Sequence, residues 1–112
     1  MKKRHKRAET LFPQPEGECF LCARLDRFPK YHTHLEPHHI FYGSNHQQSD
    51  RYGFLINLCA HHHRGDELGD KDAVHSGDKN DYGEYIKRWA QAEYEKTHTR
   101  AEFMAIFNRS WL

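Results

Sequence analysis

The chain is short of most of what lets a small domain hold itself together. Only 37% of its 112 residues are hydrophobic, and mean hydropathy is −1.05. One domain with a modest core is the expectation at this length. So thin a core calls for a further staple, either a metal or a disulfide. Cysteine is scarce as well: there are three, which cannot all pair. No apolar run is long enough to span a membrane, and none at the N-terminus reads as a signal peptide. A reducing, cytoplasmic setting is therefore expected, and there cysteine near histidine points to metal rather than disulfide.

Net charge is also nearly absent, at +1, until it is mapped along the chain. Lys2, Lys3, Arg4, Lys6 and Arg7 supply five of the 17 Lys and Arg, and no acid accompanies them. The remainder holds 12 bases against 16 acids. An arm of this kind either tracks phosphates or is an idle solvated tail. Residues 1–15 read as that flexible basic arm, ending in "FPQPEG", and 16–112 as a single domain.

Histidine is what the chain has in excess, 11 residues. Two clusters stand out, "LEPHHIFYG" at 35–43 and "NLCAHHHRG" at 57–65. "KYHTHLE" and "YGFLINLC" read as strands. "YGSNHQQSDRYG" between them reads as a loop, so 31–58 is expected to be a hairpin with a long connection. Residues 60–68 suit a short helix. Residues 69–80 are turn-rich. From Asp81 to about Lys96, Tyr82, Tyr85, Ile86, Trp89 and Ala90 share one helical face. Thr99 with Glu102 three residues later is a capping box that opens a last helix. Its buried stripe would be Phe103, Ile106, Phe107 and Trp111. No internal repeat is found.

Cys19 and Cys22 form C-x-x-C, and Cys59 and His62 form C-x-x-H. Two-residue spacing lets both side chains of a tight turn reach one ion, so the two pairs predict a tetrahedral structural zinc. The ion would clamp the two ends of the hairpin. His63 follows at once and should face another way, and His38 and His39 point apart as neighbours on an extended segment. One of that pair can bind an ion while the other faces a substrate. His75, in "AVHSG", could reach the same ion as a third ligand.

The acid-X-His-His-Ile segment, the hairpin loop, the second knuckle and the histidine after it resemble the HNH endonucleases of the ββα-metal fold. Small phage-type members, including the RecA-dependent Ref type with its "L-C-x-x-H-H" knuckle, are the most similar, over roughly residues 19–75. The resemblance implies an α+β fold: a small ββα-metal core, a structural zinc knuckle and two C-terminal helices. It implies His38 and His63 as ligands of a divalent catalytic ion and His39 as the general base. The middle asparagine of the family, which orients that base, falls on Phe54 here, with Asn57 or Asn45 as nearby candidates.

The expected activity is hydrolysis of DNA phosphodiester bonds, double-stranded DNA first, with Arg51, Arg64, Lys30 and the arm as phosphate contacts. Manganese, nickel or cobalt suit imidazole ligands better than magnesium. Glu36 reads as an ordinary surface carboxylate or as a partner of a ligand imidazole. The rival reading is a catalytically silent zinc module that binds DNA or a recombination or replication protein. A zinc hydrolase of small molecules stands behind both.

Overall fold

The structure is a computed structural model, and it describes residues 9–65, 73–74 and 82–112. Its described elements are α1 (Phe20–Arg24), β1 (Glu36–His39), a 3-10 turn (Gly43–Asn45), α2 (His46–Tyr52), β2 (Leu55–Leu58), α3 (Ala60–His63), α4 (Tyr82–Tyr94) and α5 (Arg100–Phe107). The protein is thus a small mixed α/β fold around a two-stranded antiparallel sheet. Among the described residues, no helix is long and apolar enough to cross a membrane.

In the β1–β2 register, Glu36 pairs with Leu58, Pro37 with Asn57, His38 with Ile56 and His39 with Leu55. Side chains alternate across a strand. One sheet face therefore carries Glu36, His38, Ile56 and Leu58, and the other Pro37, His39, Leu55 and Asn57. The consecutive histidines leave the edge strand β1 toward opposite faces of a sheet only two strands wide.

Two segments depart from the sequence expectations. The expected first strand is shorter: residues 31–35 precede β1 without strand pairing. His32 and His34, which alternate in "KYHTHLE" and would share one face of a strand there, lie outside β1. The expected loop 42–53 holds a helix, α2. Polar residues fill that helix, so no apolar period announces it. What holds it is one buried hydroxyl. Ser49 Oγ donates to Phe41 O (2.7 Å) and accepts from Phe41 N–H (3.0 Å), while Gly53 and Phe54 N–H donate to Ser49 O. Gly53 ends the helix with φ +81°, and a Cβ there would collide with Glu9 O. That left-handed turn costs glycine little.

The outer edge of β2 is closed by the chain ahead of α1. Leu11 N–H donates to Gly53 O (2.8 Å), and the Thr10 hydroxyl to Leu55 O. Asn57 N–H donates to Gln14 Oε1 (2.6 Å), and Gln14 Nε2 donates back to Asn57 O (3.4 Å). A side-chain amide thus completes the ladder and covers an edge that would otherwise invite pairing. The expected arm spans 1–15; its residues 10–14 run along this edge, and residues 1–8 lie outside the described ones.

The core is aromatic. Phe41, Phe54 and Phe103 are fully buried, with Phe107, Ile86 and Ala90 around them. Phe41 meets Phe107 at 4.3 Å and Trp111 at 4.7 Å between ring centres. Helix α4 keeps the expected face through Ile86 and Ala90, but Tyr85 is 46% exposed, and Gln91 is buried. The Gln91 amide is satisfied there: Nε2 donates to Glu95 Oε2 (2.7 Å) and Ser110 Oγ (2.9 Å), and Oε1 accepts from Trp111 N–H (2.7 Å). The chain's last residues are tied to α4 through it. The Thr99–Glu102 capping box opens α5 as expected.

Candidate functional site

The knuckles converge. Cys19 precedes α1 and Cys22 lies in its first turn; Cys59 precedes α3 and His62 lies within it. All four are buried, and their donor atoms lie within 4.8 Å of one another. Cys22 Sγ to Cys59 Sγ is 3.9 Å. His62 Nδ1 stands 3.6, 3.4 and 3.5 Å from the sulfurs of Cys19, Cys22 and Cys59. Zinc bonds of about 2.3 Å to sulfur and 2.0–2.1 Å to nitrogen give tetrahedron edges of roughly 3.8 Å and 3.6 Å. The cluster therefore has the size and donors of a closed zinc site and could hold that ion.

The thiols respond to each other as such a set must. Cys19 is pushed down to about 3, chiefly by a hydrogen bond from Cys59 and then by His62. Cys59 is driven up by the same hydrogen bond and by burial. Cys22 is raised to about 11 by burial and the neighbouring Cys19 charge. One negative charge is tolerated in this pocket, and the other thiols resist ionising without a cation among them.

The remaining histidines divide between the sheet faces. On the first face, His38 is 1% exposed. Its ring meets that of His63 edge-on at 5.2 Å and lies 5.7 Å from the Tyr42 ring. His63 Nδ1 is 2.8 Å from Glu36 Oε1. Glu36 also receives Arg64 Nε at 2.8 Å and the Arg64 Nη2 group on its other oxygen. The Arg64 guanidinium, with His63 beside it, holds the Glu36 carboxyl down to about 2. Glu36 is therefore no ordinary surface carboxylate: it is 15% exposed and grips the histidine that follows the second knuckle. Arg64 is bound to it bidentately, which competes with the phosphate contact expected of that arginine.

On the second face, His39 Nε2 lies 3.1 Å from Asp50 Oδ1, with side chains 14% and 25% exposed. The His46 ring lies over His39 at 3.8 Å. Asp50 and His46 stand four apart on α2, one helical turn, and so reach the same neighbour. Both escaped the sequence reading. The only cue was their i, i+4 spacing inside a stretch taken for a loop.

Of the other expected site residues, Asn57 is exposed on β2 opposite Pro37, and Asn45 ends the 3-10 turn. Arg51 is exposed on α2. Lys30 pairs with Asp26. His75 and the arm residues Lys2, Lys3, Arg4, Lys6 and Arg7 lie outside the described residues.

No family model matches the chain, and neither a curated protein nor a solved structure matches it.

Proposed function

We propose that the chain is a metal-dependent endonuclease of the HNH type that hydrolyses phosphodiester bonds of DNA. The observation that carries this reading is the Glu36–His63 contact beside His38. A histidine that ligates a metal almost always gives its other ring N–H to a carboxylate or carbonyl. With Nδ1–H donated to Glu36 at 2.8 Å, His63 keeps its Nε2 lone pair for an ion. The fit with His38 is good in size. An ion about 2.1 Å from one nitrogen of each ring sets ring centres roughly 5 Å apart at tetrahedral angles, and they stand at 5.2 Å. His38 and His63 would hold this ion, with His75 as the expected third ligand. When bound, a divalent ion there neutralises charge on the phosphate and on the leaving oxygen.

The chain's own residues supply the rest. His39 donates Nε2–H to Asp50, which leaves Nδ1 as the acceptor and fixes the tautomer. Nδ1 takes a proton from water as the water oxygen attacks phosphorus. The P–O bond to the leaving oxygen breaks, and that oxygen departs as an alcohol after protonation from solvent. The carboxylate of Asp50 takes the orienting role expected of Asn57 or Asn45. Two histidines on opposite faces of one strand thus carry different tasks, binding and proton transfer.

Purified protein incubated with plasmid and a series of divalent metals tests the reading. Manganese, nickel or cobalt are expected to support cleavage better than magnesium at equal concentration. His39→Ala is expected to lower the rate about 10²- to 10⁴-fold, the usual worth of a general base, with zinc content and DNA binding unchanged. Cleavage within a few fold of wild type in that variant would remove His39 from the chemistry. The silent zinc-module reading predicts binding with no cutting under any metal.

A further inference from the structure

A cavity of about 300 Å³ is lined among others by Gln14, Gly17, Tyr31, His32, Leu35 and Asn57, the last on the sheet face that carries His39 rather than Glu36. None of these residues has a task in the chemistry above. The volume is at the small end of ligand pockets, which run roughly 300–1,000 Å³. It suits one flat heterocycle better than a large cofactor.

Its main wall is set in advance. Tyr31 is 57% exposed, yet its ring lies on the backbone at Gly17, where any Cβ would overlap it. The same segment is pinned by His32 N–H donating to Gly17 O at 2.9 Å. An exposed aromatic ring seated on backbone offers a stacking face at little entropic cost. Polar groups stand beside it. His32 Nε2 is buried with no hydrogen-bond partner among the described residues. The Gln14 amide is committed to the backbone of Asn57. The Asn57 side chain is exposed on β2 and can offer both a donor and an acceptor.

The register ties this cavity to the proposed reaction. Asn57 pairs with Pro37, and Leu55 with His39, so Asn57 and His39 share a sheet face. They are diagonal neighbours across the two strands, about 7–8 Å apart. A nucleotide next to the bond under attack spans that separation. Arg27 and Lys30 precede Tyr31 in sequence, Lys30 paired with Asp26, in a body that is otherwise acid-rich.

We infer that this cavity accepts one unpaired nucleobase of the DNA strand, stacked on Tyr31 and hydrogen-bonded by His32 and Asn57, adjacent to the phosphodiester that His39 addresses. The inference rests on the nuclease reading for its position and not for its binding. It makes the preferred substrate a strand with an unstacked nucleotide, such as a single strand, a bulge or a mismatch, rather than perfect duplex.

The test uses the zinc-loaded full chain carrying His39→Ala, so that binding is read without cutting. The probe is a short single-stranded DNA with one fluorescent purine analogue, 2-aminopurine. Stacking on Tyr31 is expected to quench its emission. Tyr31→Ala should abolish the quenching and weaken single-strand binding about ten-fold, with affinity for perfect duplex unchanged. Tyr31→Phe should retain both signals. Should Tyr31→Ala lose its fold, as read from zinc content, Asn57→Ala decides: it is expected to weaken single-strand binding a few fold. Quenching and affinity unchanged in Tyr31→Ala, or an unchanged Asn57→Ala where that variant decides, would overturn the inference, as would a probe that is never quenched. Cutting is read separately with His39 intact. Cutting without quenching sinks the pocket and spares the nuclease; quenching without cutting supports the pocket and sinks the nuclease.

Discussion

The two histidine-bearing centres of this protein are built in opposite ways. The Cys19–Cys22–Cys59–His62 cluster is buried on all four members, and its donor atoms lie within 4.8 Å of one another. The centre around the sheet is split: His38 and His63 meet on one face, while His39 meets Asp50 on the other and remains 14% exposed. Closure suits a structural ion, which needs every position filled by protein. The partial exposure of His39 suits the proposed chemistry, which needs a position for substrate. His62 and His63 are neighbours in sequence and belong to different centres, because successive helical residues are about 100° apart around the axis.

The largest expected effect breaks the first centre. Cys22→Ser, or strong chelation of the wild type, should unfold the chain. Structural zinc contributes on the order of 10 kcal/mol, as much as a typical domain's whole stability of about 5–15 kcal/mol. Circular dichroism with zinc analysis reads this; a folded, zinc-free Cys22→Ser would move the burden of stability to the aromatic core.

The second centre should fail without unfolding. Asp50→Asn is expected to cut the rate about 10- to 100-fold, because an amide can turn its NH₂ toward Nε2 and select the wrong imidazole tautomer. KM and zinc content should hold, and Asp50→Glu should recover part of the rate. Nitrogen-detected NMR of the His39 ring would report the tautomer directly, and an unchanged tautomer in Asp50→Asn would take Asp50 out of the orienting role.

A smaller effect separates the centres by pH. The Glu36 carboxyl is held at about 2 against an ordinary 4.5. A depressed carboxylate adds stability that is complete above the unfolded value and is lost as pH falls through the folded one. The Glu36 contribution should therefore disappear between about pH 4.5 and pH 2. Glu36→Gln should flatten the acid limb of a urea-melt series in that window and leave the curve near pH 7 little altered in shape. An identical acid limb in Glu36→Gln would mean that the contacts to Arg64 and His63 carry no folding energy.

How much of this was readable beforehand differs element by element. The knuckles were, since Cys-x-x-Cys and Cys-x-x-His each describe one turn of chain. The last helix was, through Thr99 and Glu102, and so was β2 through its apolar run. Helix α2 was not. It has the sequence His46–Tyr52, polar throughout, and its place depends on Ser49 reaching Phe41 and on the left-handed Gly53. Tyr85 was expected inside and stands outside, because the face that α4 turns inward runs through Gly83, Ile86, Ala90 and Gln91, the last tied to Ser110 and Trp111.

The sequence by itself determined what lies within a single turn: the two knuckle pairs, the capping box, and the different directions in which adjacent histidines point. A backbone period of 2 or 3.6 residues dictates those directions wherever the segment sits. Only the tertiary structure decided which distant groups meet. Glu36 and His63 are 27 residues apart, and His39 and Asp50 are 11 apart, one on β1 and the other on helix α2. Such contacts follow from strand register and from the buried packing that seats α2, and no local spacing encodes either. The physical reason is that a short-range pair is fixed by a few dihedral angles, whereas a long-range pair is fixed by the sum of a whole core's packing.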